Sequence, residues 1–312
     1  MPLNLQLVLP LLVIAAIVVY IASRMRSVAP FFDLSFAVAD RFDLGRLVPD
    51  DEHQLEQLRD FLLPTSGGLR LLVSEWPREI SRERGKAVGQ GDAFGAGALL
   101  FMLGALYSRG LVQEAPSIQS GSTQPTEGRD PWARCNLMLV GGHVSNGATE
   151  AIMYHQAANL PYVFDKEEDP HRIVSSLGCL ADSYEDPHIP EKHRSKPPDH
   201  AYGLVARVPN FFSQDTDHER LAWIFAGCHT WGTFAAVDIF SNWELIQHLC
   251  DALDPREPFE AVVRGHWDTD GERAARWPDE VDIVECLAYS DHQWTSILDL
   301  LQPQSGSNPR QA

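Results

Sequence analysis

From Leu5 to Ala22 the chain reads LQLVLPLLVIAAIVVYIA, eighteen residues without a charge, and Ser23-Arg24-Met25-Arg26 come directly after it. No other feature constrains the fold as much. A helix rising about 1.5 Å per residue covers roughly 27 Å over that length, close to the thickness of a bilayer's hydrocarbon core. A secretory signal would start basic, have a shorter apolar region and end at a small-x-small cleavage site. Here Met1 to Gln6 holds no Lys or Arg, and the stretch runs out in Tyr-Ile-Ala-Ser-Arg. The reading is therefore an uncleaved transmembrane anchor over 5–22. Pro10 lies in the first half of the span, where neighbouring groups accommodate it. The basic pair Arg24 and Arg26 places the C-terminal bulk of the chain in the cytoplasm. Cysteine usage agrees: Cys135, Cys179, Cys228, Cys250 and Cys286 are odd in number and form no C-x-x-C pair, which suits a reducing compartment.

The remaining 290 residues have a different pattern. With 25 Lys+Arg against 43 Asp+Glu, the net charge is −18, and the basic cluster Arg78, Arg82, Arg84, Lys86 is short. A nucleic-acid partner is excluded on that balance, because phosphate contacts need a basic stripe. Residues 23–68 read as a connector whose Leu55, Leu58 and Leu62 lie on one helical face, closed by Thr65-Ser66-Gly67-Gly68. Leu69 to Val73 reads as a strand and Asp92 to Tyr107 as a buried helix rich in small residues. Within it, the apolar run Ala96 to Leu106 is too short and too glycine-interrupted for a second span. The polar stretch 113–131 reads as a linker-like loop. Beyond it strands and helices alternate. Asn136–Val140, Tyr162–Phe164, Tyr202–Val208 and Leu221–Ala226 read as strands; Gly147–Ala158, Thr233–Phe240 and Trp243–Asp251 read as helices. An acidic, Pro- and His-rich insertion covers 165–199, Phe259–Trp267 and Val281–Ala288 form a closing strand pair, and the tail 301–312 is polar. This order predicts an α/β fold: a Rossmann-like, mostly parallel sheet over 69–300 with helices on both faces, preceded by one transmembrane helix. The closing pair would add an antiparallel edge.

Two loops carry the chemistry. The first is Val140-Gly141-Gly142-His143-Val144-Ser145-Asn146-Gly147, a buried strand running into glycines and then a helix. Glycines let the backbone approach a phosphate, and the N–H groups and dipole of a helix start favour an anion. Ser145 or Asn146 would cap that helix and reach the ligand. This is neither G-x-G-x-x-G nor a Walker loop, and a tight turn whose glycines serve geometry alone is the competing reading. The second loop is Ala226-Gly227-Cys228-His229-Thr230-Trp231-Gly232-Thr233, again between a strand and a helix. Parallel strands share a carboxyl edge, so both loops converge if their strands are close. Gly141, Gly142, His143, Ser145, Asn146, Gly227, Thr230 and Gly232 are the candidate ligand contacts. His229 is the candidate acid/base, with Glu150 or Asp238 as its carboxylate. Cys228 reads as a small buried residue, Asp92 as a helix cap, and Arg207 either faces an anion or a solvated surface. His143, His229 and His266 each end a predicted strand, yet no H-E-x-x-H, H-x-H or cysteine pair supplies metal-ligand spacing. No metal and no cofactor is assigned.

The runs VGGHVSN, YGLVARVPN and AGCHTWGT over residues 134–240 resemble, in layout, bacterial Rossmann-like proteins of the nucleotide-sensing or nucleotide-processing kind, the TIR and SLOG groups. The acidic catalytic residue of the former and the fuller glycine run of the latter have no counterpart here, so no family catalytic residue is carried over. The resemblance implies a nucleotide-like ligand. The expectation is a cell-membrane protein, single-pass, whose cytoplasmic domain binds a nucleotide or phosphorylated small molecule as sensor, hydrolase or transferase. The alternative is a non-catalytic, membrane-tethered interaction module.

Overall fold

A computed structural model describes residues 49, 51–63, 68–74, 90–112, 117–121, 132–155, 158–166, 171–176, 184–185, 198–213, 220–267 and 278–301. The anchor 5–22, the connector before Pro49, the basic cluster at 78–86 and the tail beyond Leu301 lie outside the described residues.

Eleven described strands form two sheets. The large one contains β1 (Leu69–Val73), β2 (Ser117–Ser120), β3 (Asn136–Val140), β7 (His200–Pro209), β8 (Leu221–Gly227), β9 (Phe259–His266), β10 (Glu280–Ser290) and β11 (Gln293–Ser296) in the order β11-β10-β9-β7-β8-β3-β1-β2. From β2 to β8 the pairings are parallel; from β8 to β11 they are antiparallel. The architecture is thus mixed α/β, with far more antiparallel structure than the single edge expected. The small sheet, β4 (Tyr162–Phe164), β5 (Arg172–Ser175) and β6 (Tyr184–Glu185), is antiparallel and comes from the segment read as an insertion. β2 falls in the segment read as a loop: SIQS is a four-residue polar edge strand with no hydrophobic signature.

Side chains alternate between the two faces of each strand, so each central strand feeds two cores. Met138 and Val140 of β3 and Trp223 and Phe225 of β8 point to the first face, under α1 (Glu52–Leu62), α2 (Gln90–Ser108), α4 (Thr230–Asp238), α5 (Trp243–Ala252) and α6 (Leu298–Leu301). Leu137, Leu139, Ile224 and Ala226 point to the second face, under α3 (Gly147–Met153) and the small sheet. The second face is therefore covered by one short helix and a sheet. A layer of helices is absent there among the described residues.

The helix read as part of the connector belongs to the core. Asp51 caps α1 by accepting from Gln54 N, and Leu55, Leu58, Phe61 and Leu62 are all buried. Its last carbonyls are bound inside the protein: Leu62 O accepts from Trp223 Nε1 at 2.9 Å and Phe61 O from Arg207 Nη1 at 3.2 Å. Arg207 faces neither an anion nor solvent. It is buried completely, donates also to the carbonyls of Asp254 and Glu257, and has its guanidinium over the rings of Phe61, Trp223 and Phe259. Burial pulls its pKa down to about 10, so it stays charged at neutral pH.

Helix α2 lies against β1, β3 and α4, with Leu99, Met102, Leu103 and Leu106 buried and Phe94 stacked on Phe234 at 5.3 Å. Its span Gly91–Ser108 is the one helix among the described residues long and apolar enough to cross a membrane; here its inner side is packed on the sheet. Two of its glycines have a packing role: a Cβ at Gly91 would strike the Thr230 carbonyl, and one at Gly95 would come 3.0 Å from Val237. Gly97 and Gly104 have nothing within 4 Å of such a Cβ. Glycine in a helix interior costs about 0.5–1 kcal/mol relative to alanine. Urea unfolding should therefore show Gly97→Ala and Gly104→Ala each stabilising by about that amount, and Gly91→Ala destabilising. Loss of stability in both outer variants would mean that this face is not open.

Candidate functional site

β3 and β8 are parallel neighbours, so the two glycine loops leave the sheet at one edge. Gly141 has φ +109°, a conformation that disfavours side chains, and a Cβ there would strike Ser74 at the end of β1. Gly141 N donates to Phe225 O at 2.8 Å, and a Cβ on Gly142 would lie 3.2 Å from Gly227 O. The loops are in backbone contact.

The first loop is held chiefly by Asn146. Its Oδ1 accepts from Ala148 N (3.1 Å) and Thr149 N (3.2 Å), capping α3, while its Nδ2 donates to Leu72 O (3.0 Å) and Val140 O (3.1 Å). This one amide joins the ends of β1 and β3 to the start of α3, and Thr149 Oγ1 adds a bond to Gly141 O at 3.0 Å. Asn146, a candidate ligand contact by sequence, is fully buried and fully bonded within the fold. Ser145 is buried, with Oγ 3.4 Å from Gly142 O. His143 is stacked on Phe164 at 5.2 Å and edge-on to Tyr154 at 5.8 Å. Burial, and secondarily the Lys166 charge, lowers its pKa to about 4, so the imidazole is neutral.

In the second loop the glycines allow backbones to touch. A Cβ on Gly227 would strike Thr233 N, one on Gly232 the Tyr202 carbonyl, and one on Gly203 the Gly232 carbonyl. Helix α4 therefore lies directly on β7 and β8. His229 occupies its N-cap position without making a side-chain cap bond, and its half-buried ring lies 4.2 Å from that of His171 on the approach to β5. His171 Nδ1 is 2.7 Å from Cys228 O, which requires the Nδ1 proton. Cys228 is buried, as expected.

Of the two proposed carboxylates, neither joins His229. Glu150 is bound to Lys166 at 2.7 Å on an exposed surface, and Asp238 sits at the far end of α4, roughly 12 Å along the helix from Thr230. The carboxyl group at this edge is Asp92, in the first turn of α2. Ser74 Oγ donates to its Oδ2 at 2.5 Å, Thr230 Oγ1 to its Oδ1 at 3.4 Å, and its own N–H donates to Thr230 Oγ1 at 2.9 Å. Burial raises its pKa to about 6, opposed by the bonds from Ser74, Thr233 and Thr230. It is not the cap the sequence suggested, since α2 already begins at Gln90 and the carboxylate binds the Ser74 and Thr230 side chains; its place opposite Thr230 has no local sequence signal. His171, Lys166 and Tyr154, which completes the group by donating to Phe164 O at 2.7 Å, are likewise hidden in segments that read as insertion or plain helix. His266 is further along the same edge, paired with Asp282 at 3.3 Å, and among the described residues no three His, Cys, Asp or Glu side chains could together hold a metal ion.

The chain matches no protein-family model, and no curated protein and no solved structure is detectably similar to it. The site's own chemistry is a positive helix end, the neutral His143 imidazole, and a buried acid titrating near pH 6.

That acid has a measurable effect. An unfolded chain ionises Asp92 near 3.8, whereas the folded protein holds the proton to about 6. Stability is therefore lost as pH rises from about 4 to 6, by roughly 3 kcal/mol, and is level above. Asp92→Asn should remove this component, so that variant and wild type diverge in the variant's favour across that window and stay parallel above it. Urea unfolding at half-unit pH steps measures this. Parallel curves from pH 4 to 6 would show that Asp92 does not carry a raised pKa.

Proposed function

We propose that this chain is a membrane-tethered protein whose Rossmann-like sheet edge binds a nucleotide or another phosphorylated small molecule where the two glycine loops meet. The observation that carries this reading is the meeting of the Gly142 and Gly227 loops at one sheet edge, beside the start of α4. Main-chain N–H groups and the positive end of a helix are the usual means of holding a phosphate. The site also lies where β1 runs into α2 on one face and β3 into α3 on the other, the kind of crevice at which doubly wound sheets take their ligands. Gly141 makes room for Ser74 and turns the chain, Gly142 permits close approach, His143 and Ser145 form the floor, Gly227, Thr230 and Gly232 set the helix start, and Asn146 holds the loop. In an enzymatic version, as hydrolase or transferase, His229 transfers the proton.

One observation favours the alternative of an interaction module without a ligand. Gly203, Gly227, Gly232 and Asn146 each have a complete structural role already. The two readings part on a thermal-shift screen of the protein in micelles against nucleotides, dinucleotides and sugar phosphates. A ligand at a hundred times its Kd should raise Tm by about 5 °C. His229→Ala should reduce that shift, and should abolish product formation if the site turns over. Silence across the panel from folded protein overturns the ligand reading.

In this reading the tether is the 5–22 segment, and its Arg24 and Arg26 flank favours a domain on the cytoplasmic side of the cell membrane. Alkaline carbonate should leave the full chain in the membrane pellet and release a chain begun at Phe31. Release of both would remove the anchor from the account.

A further inference from the structure

Glu260 stands in β9 with no exposed surface. Its cross-strand neighbours are Ala206 of β7 and Leu287 of β10, both apolar and buried. Its Oε2 accepts one hydrogen bond, at 2.8 Å from the N–H of Tyr162, the first residue of β4. Its Oε1 has no partner among the described residues. On β10 the nearby Cys286 thiol is pushed up to about 12, chiefly by burial and secondarily by Glu260 itself. A carboxyl group with one neutral donor and no countercharge keeps its proton in such surroundings, and burial holds Glu260 well above the usual carboxyl range.

What this acid holds is the small sheet, and the small sheet lies over the glycine loops. His171 touches Cys228 O and the His229 ring, Phe164 covers His143, and the Tyr184 carbonyl is 3.8 Å from Cys228 Sγ. The small sheet is also tied by Tyr154 to Phe164 O, by Tyr184 to Glu285 at 3.3 Å and by the exposed Lys166–Glu150 pair, and its Tyr162, Phe164 and Ile173 side chains pack into the second core.

We propose that the β4–β6 sheet is a proton-coupled cover over the glycine loops, latched by protonated Glu260, and that lifting it releases the Glu260 proton to solvent. As a control on access, this rests on the loops being a ligand site; as a motion, it does not.

The linkage has a definite sign. Covered, Glu260 keeps its proton; uncovered, it titrates near 4.5. Between those values lifting releases one proton, so the opening constant rises about tenfold per pH unit. His143 works the other way. It is neutral beneath Phe164, and once uncovered it takes up a proton below about 6.5. The two effects cancel below that pH, and Glu260 acts alone above it. The other groups facing the cover are the His171–His229 pair, the Glu150–Lys166 pair, Glu285, Tyr202 and the phenol of Tyr154, which burial holds above its ordinary range.

The test is hydrogen exchange at the Tyr162 amide in the full chain in micelles, from pH 5 to 8.5, with rates divided by the intrinsic rate at each pH. Wild-type protection should fall about tenfold per unit above pH 6.5 until Glu260 itself titrates. Glu260→Gln keeps an acceptor for the Tyr162 amide and should be flat above 6.5, with protection falling toward lower pH below it. Flat wild-type protection above 6.5, or an unchanged slope in Glu260→Gln, overturns the latch. Should Glu260→Gln fail to fold by circular dichroism, the wild-type slope decides alone. The readout needs no ligand. A pH-linked cover with a silent nucleotide panel keeps the latch and removes the ligand site; flat exchange with a stabilising nucleotide does the reverse.

Discussion

A helix backbone lies against two strand backbones with no side chain between them, and the arrangement of the carboxyl edge depends on that contact. Gly203, Gly227 and Gly232 remove the Cβ atoms that would keep α4 away from β7 and β8. With the helix seated so closely, Thr230 at its start reaches Gly91 and Asp92 in the first turn of α2. Asp92 in turn binds Ser74 at the end of β1, and Ser74 occupies the space that Gly141 leaves open. Four segments that are distant in sequence are thus fixed by one close approach. A single methyl group on the α4 side would disturb each of them in turn, because densely packed interiors transmit displacement.

Polar groups in the interior carry the other long connections. Arg207 gathers carbonyls from α1 and from the turn after α5; Asn210 donates to Trp132 O and Cys135 O, both at 2.8 Å; Asn136 accepts from Leu221 N at 2.9 Å. Each is a buried side chain whose hydrogen-bonding capacity is used on main-chain atoms, which is the condition under which polar burial is tolerated. Arg207 adds packing to bonding, since its flat guanidinium fills a space among three aromatic rings.

Much of this fold is legible in the amino-acid order alone, and the boundary of what is legible has physical causes. Strands such as NLMLV and LAWIFAG are short apolar runs bounded by turn residues, and their burial comes from composition. The meeting of the glycine loops is legible too, because parallel neighbours share an edge. Pairing direction is not: nothing in YGLVARVP distinguishes a strand with two antiparallel neighbours from one with two parallel neighbours, so the antiparallel half is larger than the sequence suggests. SIQS is invisible because an edge strand needs no apolar face. Asp92 resembles any acidic residue in a first helical turn, and only the partner 138 residues away makes it a buried acid. Glu260, between Phe259 and Ala261 in a strand, likewise gives no sign that it faces inward.

Asn146 precedes Gly147, the dipeptide in which an asparagine side chain is most readily attacked by the next backbone nitrogen to form a succinimide, and then an aspartate. In the folded protein that side chain is held by four hydrogen bonds, and the glycine is already the first residue of a helix. Neither can reach the geometry of ring closure. An unfolded chain has no such protection. A carboxylate formed there would present oxygens to the Leu72 and Val140 carbonyls where the amide presents hydrogens. The fold therefore preserves the chemical identity of the side chain on which it depends, and a chain kept waiting to fold ages at the position least able to bear it.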